Sequence, residues 1–276
     1  MREAASTSVD RDRLSVLLAV LILGNILFRF IELPEHVYQV QALGSPLQIR
    51  ASSTLLLVTL MVGLVCTGTS LALHDHPLLM ERSGRPIYIA WILPGLLAGL
   101  LTYLSSLAPT VLIWMGVLVL FGVTVGLTVS AEYATVSPDA PTYAAARLAL
   151  NVLAYLLGFV LFVLIYQTRT RSLVTATLTL VTATLLGLDL LSVADVPMGR
   201  MLPFAVIVGL IIGESTWALN YWQTSTWVGG LLLLLVFYVA TNVAHQHLLE
   251  RLSMSTLFEF SAVTIAVLLV ILLRGP

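Results

Sequence analysis

The sequence predicts an all-α fold: a polytopic bundle of transmembrane helices with short loops and no soluble domain. Three observations predict it. Of 276 residues, 59% are hydrophobic and 10% charged, whereas an ordinary soluble domain carries about 25% charged residues. Apolar runs recur along the whole chain at about the 20 residues a helix needs to cross a core of roughly 30 Å. The connections between these runs are short, the longest being ELPEHVYQVQALGSPLQIR. Residues 1–13 therefore read as a polar tail and 14–276 as a single transmembrane domain.

Taken in order, the predicted spans are 14–33, 52–74, 86–107, 110–131, 142–166, 172–191, 200–219, 226–248 and 255–274. The count is about nine, within a range of eight to ten. The first run, LSVLLAVLILGNILF, is long for a signal-peptide core and lacks a small-x-small cleavage site, so it reads as a retained helix. The seventh span is the weakest, because Pro203 and Glu214 interrupt it. The ninth is short if Glu259 is to avoid the bilayer centre.

Composition also excludes functions. A formal charge of −1 provides no basic face for nucleic acid. All 13 basic residues are arginine, which removes a Schiff-base lysine and any lysine nucleophile. Cys66 is the single cysteine, so one chain can form neither an internal disulfide nor a multi-cysteine metal site. GxSxG, HExxH, Walker A, GxGxxG and CxxC motifs are all missing, and no cofactor is indicated.

Arginine counting gives an orientation. With the N-terminus cytoplasmic, eight arginines fall on that side and five on the other. The expected location is a cell membrane of the bacterial plasma-membrane type. Arg169 and Arg171 break the rule: either the topology is reversed or they have a specific external partner.

Charges inside a membrane cost at least ~2.5–3.5 kcal/mol at its centre and usually face the bundle interior. Four polar stripes follow from helical spacing. Asn25, Arg29 and Glu32 share a face of the first span; His36 would extend it if the helix continued, but Pro34 is expected to end or kink the helix first. Arg147, Asn151 and Tyr155 line the fifth. Thr175, Thr179, Thr182 and Asp189 line the sixth, at a depth where Asp189 is expected to pair with Arg147 or to share a hydrated cavity with it. Glu214, Trp217 and Tyr221 line the seventh. With the N-terminus inside, Glu214 lies in the outer half, on the side where Arg169 and Arg171 emerge. Neutralisation by one of these arginines, or protonation by desolvation, makes Glu214 tolerable there.

Two histidine pairs, His74–His76 and His245–His247, could ligate zinc or copper. Residues two apart diverge on a helix, however, so polar helix ends are the simpler reading and no metal is assigned. VTATLTL followed by VTATLLG repeats at seven and reads as a packing seam. Gly95/Gly99, Gly122/Gly126 and Gly209/Gly213 allow close helix approach, most simply inside the bundle.

Three function classes remain. The favoured one is a non-enzymatic membrane subunit or scaffold, with the bilayer and either membrane-protein partners or copies of itself around it. The second is a small-solute or ion transporter, proton-coupled in one version, that uses Glu214 and the nearby arginines. The third is an intramembrane enzyme acting on a lipid-linked substrate.

Overall fold

The computed structural model describes residues 11–30, 36–42, 45–74, 86–168, 172–194, 196–222, 224–251, 262 and 265. It is a bundle of long helices, which gather into two compact units. Among the described residues, seven helices, with their 3₁₀ extensions, are long and apolar enough to cross a membrane. An eighth, α1 (Arg11–Phe30), carries its charges at its two ends. Of the predicted ninth span, 255–274, only Ala262 and Ile265 are among the described residues. Outward faces of the described helices are largely apolar: Leu112, Leu127, Val119 and Leu148 are all exposed. Lipid tolerates such a surface; water does not.

The first unit contains α1, a β-hairpin, and the helices α2 (Ser53–His74), α3 (Ile92–Ser106) and α4 (Val111–Ala134). α1 packs on α2 and α4, and α3 lies between α2 and α4. Glycines set these contacts. Gly95 and Gly99 meet Cys66 and Val62 of α2, while Gly122 and Gly126 meet Ile22 and Leu18 of α1. Leu21, Met61, Val65, Leu93, Val125 and Val129 fill the core completely. α4 starts where the Thr110 hydroxyl accepts the Ile113 N–H at 3.3 Å, an N-cap that satisfies a donor no helix carbonyl can reach.

Three features refine the sequence reading. α1 ends at Phe30, so the stripe from Asn25 does not continue on one helix as far as His36. That residue instead opens β1 (His36–Ala42), which pairs antiparallel with β2 (Ser45–Ala51) in the register His36↔Ala51 to Ala42↔Ser45. The long connection thus contains a pair of antiparallel strands, and Pro46 is tolerated because both strands of a two-stranded sheet are edges. The third span begins as a 3₁₀ turn over Ile87–Trp91. Pro94 explains this, since its ring clashes with the carbonyl four residues back and leaves tighter bonding as the way in.

The second unit contains α5 (Tyr143–Gln167) from Leu148 onward, α6 (Ser172–Leu191), α7 (Met198–Tyr221) and α8 (Thr226–Leu248). α7 runs unbroken through Pro203. The proline lies near the helix start, where only one early hydrogen bond is lost and packing on α6 and α8 holds the rest. The heptad repeat is the α6–α7 seam. Gly209 lies against Thr184 and the Leu180 carbonyl, Gly213 against Ala176 and Leu180, and Gly187 against Ala205. α8 approaches α5 through Gly229 and Gly230, which face Tyr166 and Val163. Phe162 and Phe237 meet edge to face with centroids 5.7 Å apart. All three predicted glycine pairs are therefore consumed by packing inside a unit.

Candidate functional site

In the first unit, polar side chains are buried at opposite ends. Asn25 is buried on α1, and its amide donates to its own Leu21 carbonyl at 3.4 Å. The Ser105 hydroxyl on α3 is shared between the Thr102 carbonyl (2.7 Å) and Asn25 Oδ1 (3.3 Å). Arg29, one turn further along α1, is exposed. Toward the other end lies Glu132, which has no exposed surface. Sequence reasoning passed over it because it falls one residue beyond the predicted span. The available signal was its register: Glu132 continues the stripe Phe121, Val125 and Val129, the face that α4 buries. Arg147, on the other side of the short α4–α5 connection, is buried as well.

The second unit holds a polar layer built from α5 and α8. Asn242 Nδ2 donates to the Tyr155 hydroxyl at 3.1 Å and to the Tyr238 carbonyl at 2.7 Å. The Tyr155 ring packs on Phe237 and Tyr238. One turn away on α5, Asn151 Oδ1 is buried and accepts no hydrogen bond among the described residues, and the same holds for the Thr241 hydroxyl on α8. Asp189, on α6, has no exposed surface. Gly158 meets Leu186, so antiparallel packing brings Asp189, one turn further along α6, toward the level of Tyr155. His245 is half-buried on α8, one turn beyond Asn242.

A second set of polar contacts ties α6 to α7 at their other ends. Thr179 and Thr216 hydrogen bond at 2.9 Å, and Asn220 Nδ2 donates to the Thr175 hydroxyl at 3.0 Å. The Tyr166 hydroxyl donates to the Leu219 carbonyl at 2.9 Å and lies 3.2 Å from the Thr224 hydroxyl. Thr179 and Thr216 also bond carbonyls of their own helices. At Thr175 and Thr179 the predicted threonine stripe is thus an internal seam, their hydroxyls engaged by backbone and by facing side chains of α7.

Glu214 lies elsewhere. It is exposed, on the outward stripe Pro203, Val206, Leu210, Glu214, Trp217 and Tyr221. Seven residues separate it from the helix end, roughly 10 Å at 1.5 Å per residue. Trp217, Tyr221, Trp222 and Trp227 are all exposed near that end, as an interfacial aromatic belt requires. Arg169, Arg171, Glu32 and His76 lie outside the described residues. His74 closes α2 and His247 is exposed near the end of α8. Among the described residues, no three His, Cys, Asp or Glu side chains gather into a metal-holding group.

Long apolar helices, lipid-compatible outer faces and polar groups sequestered inside each unit define an integral membrane helical bundle. The chain belongs to the family described as "Protein of unknown function (DUF5656)", whose model matches residues 33–274. No curated protein and no solved structure matches it significantly.

Proposed function

We propose that this protein is a non-enzymatic, membrane-embedded subunit that associates with another integral membrane protein through the outward face of α7. One observation carries the reading: Glu214 is exposed on a stripe that is otherwise apolar and aromatic. A carboxylate facing lipid roughly 10 Å inside a helix end is costly, and a partner helix bearing an arginine or lysine at matching depth removes that cost. In the sequence Arg169 and Arg171 directly precede α6, and the expectation that they emerge on the same membrane side as Glu214 makes them candidates for its outer-side polar cluster. Tight internal packing of the glycine pairs leaves this charged stripe as the feature directed outward.

Native mass spectrometry of protein extracted gently from its own membrane tests the reading. A heteromeric complex that Glu214→Leu dissociates supports it. A bare monomer, or a complex indifferent to that substitution, overturns it.

A second reading has its own support. Glu132 and Asp189 are carboxylic acids with no exposed surface inside membrane-spanning helices, and such acids commonly mark ion or proton pathways. On this reading the Asn151–Tyr155–Asn242 layer lines the route and the protein is a small-solute or ion transporter. Cation-driven flux in proteoliposomes that disappears in Asp189→Asn would favour it over the subunit reading.

A further inference from the structure

Two cavities in the second unit join at a pair of shared residues. The first opens between the start of α7 and the end of α8, has a volume of about 590 Å³, and is lined by Arg200, His247 and Glu250. The second is an apolar groove of about 530 Å³ running along the same two helices, lined by Ile207, Ile211, Val239 and Val243. Phe204 and His247 line both, and their rings lie 5.2 Å apart at the junction. From Phe204 to Ile211 the groove follows α7 for about 10 Å at 1.5 Å per residue. A charged mouth thus opens directly into an apolar trough on a membrane-facing surface.

The mouth carries both signs of charge. Arg200, His247 and Glu250 are exposed, and no ion pair joins them among the described residues. Glu250 is also the one non-glycine residue with positive φ among the described residues, at 56°. It occupies the left-handed position of a Schellman motif, in which Glu250 N–H bonds the His247 carbonyl at 3.0 Å and Arg251 N–H bonds the Gln246 carbonyl at 3.0 Å. Glycine is the usual residue there, because a Cβ disfavours that conformation. A glutamate held in a strained conformation at the rim of a charged cavity is the kind of outlier that points to a task for its side chain.

We infer that the α7–α8 cleft binds one glycerophospholipid with a zwitterionic, primary-amine headgroup. The phosphate is met by Arg200 and His247, the ammonium by Glu250, and an acyl chain lies in the groove past Phe204. Charge complementarity selects this occupant. A headgroup carrying only negative charge would meet Glu250 unfavourably, and a quaternary amine could not donate a hydrogen bond to its carboxylate. The site is independent of the Glu214 stripe and of the partner proposed for it.

The test is native mass spectrometry after reconstitution of the full chain into vesicles holding equal parts phosphatidylethanolamine, phosphatidylcholine and phosphatidylglycerol. One retained phosphatidylethanolamine, enriched several-fold over the other two, is expected. Arg200→Gln should reduce that retention about tenfold. Arg200 is exposed, so the fold is not at risk. Ala240 also lines the groove, so Ala240→Phe should displace the lipid by filling it. Glu250→Gly is the most discriminating variant: it relieves the left-handed backbone, so thermal stability should rise while the preference over phosphatidylcholine is lost. Retention of no lipid above the vesicle ratio, preferential retention of phosphatidylglycerol, or unchanged selectivity in Glu250→Gly would each overturn the inference.

Discussion

Asn242 on α8 donates to the hydroxyl of Tyr155 on α5 across 3.1 Å, and this hydrogen bond anchors the polar layer of the second unit. In a bilayer no water competes for these groups, yet measured couplings between membrane helices are modest. A double-mutant cycle of Tyr155→Phe and Asn242→Leu should return about 0.6 kcal/mol of coupling, and at most ~1.7. Reversible unfolding in mixed micelles is the readout. A coupling indistinguishable from zero would mean the hydrogen bond is exchanged for others when α5 and α8 separate.

The α6–α7 seam makes a sharper demand. A Cβ at Gly209 would come within 2.8 Å of the Leu180 carbonyl oxygen, a backbone atom that cannot swing aside. Gly209→Ala should therefore cost about 1–3 kcal/mol. Gly63→Ala, where a Cβ meets nothing within 4 Å, should change stability by no more than about 0.5 kcal/mol. Equal effects at the two positions would contradict the packing described here.

Arg147 and Asp189 are both buried, and the sequence expectation that they pair is open to a direct test. Removing one member of a buried pair strands the other, at a cost of about 3–5 kcal/mol. Arg147→Gln and Asp189→Asn should then each destabilise strongly, and the double variant should lose much less than their sum. Strict additivity would separate the two residues.

The proposed cluster around Glu214 has its own signature. If Arg169 or Arg171 neutralises the carboxylate, Glu214→Gln lowers the stability of the chain and Arg169→Gln or Arg171→Gln partly restores it. Single and double variants that all unfold like the wild type would remove both arginines from the cluster.

The bundle was legible in the sequence because lipid-spanning helices need long apolar runs, and charges sparse enough to permit such runs are visible directly. The glycine seams were legible too, since Gly209 and Gly213 repeat at the spacing that brings helices close. Direction was harder to read. In water a helix buries its apolar face, but lipid is as apolar as leucine, so α7 looks much the same on its inward and outward sides. The charge of Glu214 drew attention to the bundle interior, while its side chain faces out. Glu132 escaped for the opposite reason: next to a predicted span end, a carboxylate reads as interfacial, yet α4 continues to Ala134 and buries it. The hairpin at His36–Ala51 was hidden by its surroundings, since a short alternating stretch between two spans reads as a connection.

The central claim concerns the outward face of α7, and site-specific photocrosslinking in the native membrane tests it most directly. A photoreactive side chain at Leu210, exposed on the Glu214 stripe, should give one discrete protein adduct that Glu214→Leu abolishes. The same probe at Leu127, exposed on α4, should label lipid alone. Only lipid adducts at position 210, or a protein adduct that persists in Glu214→Leu, would contradict the account.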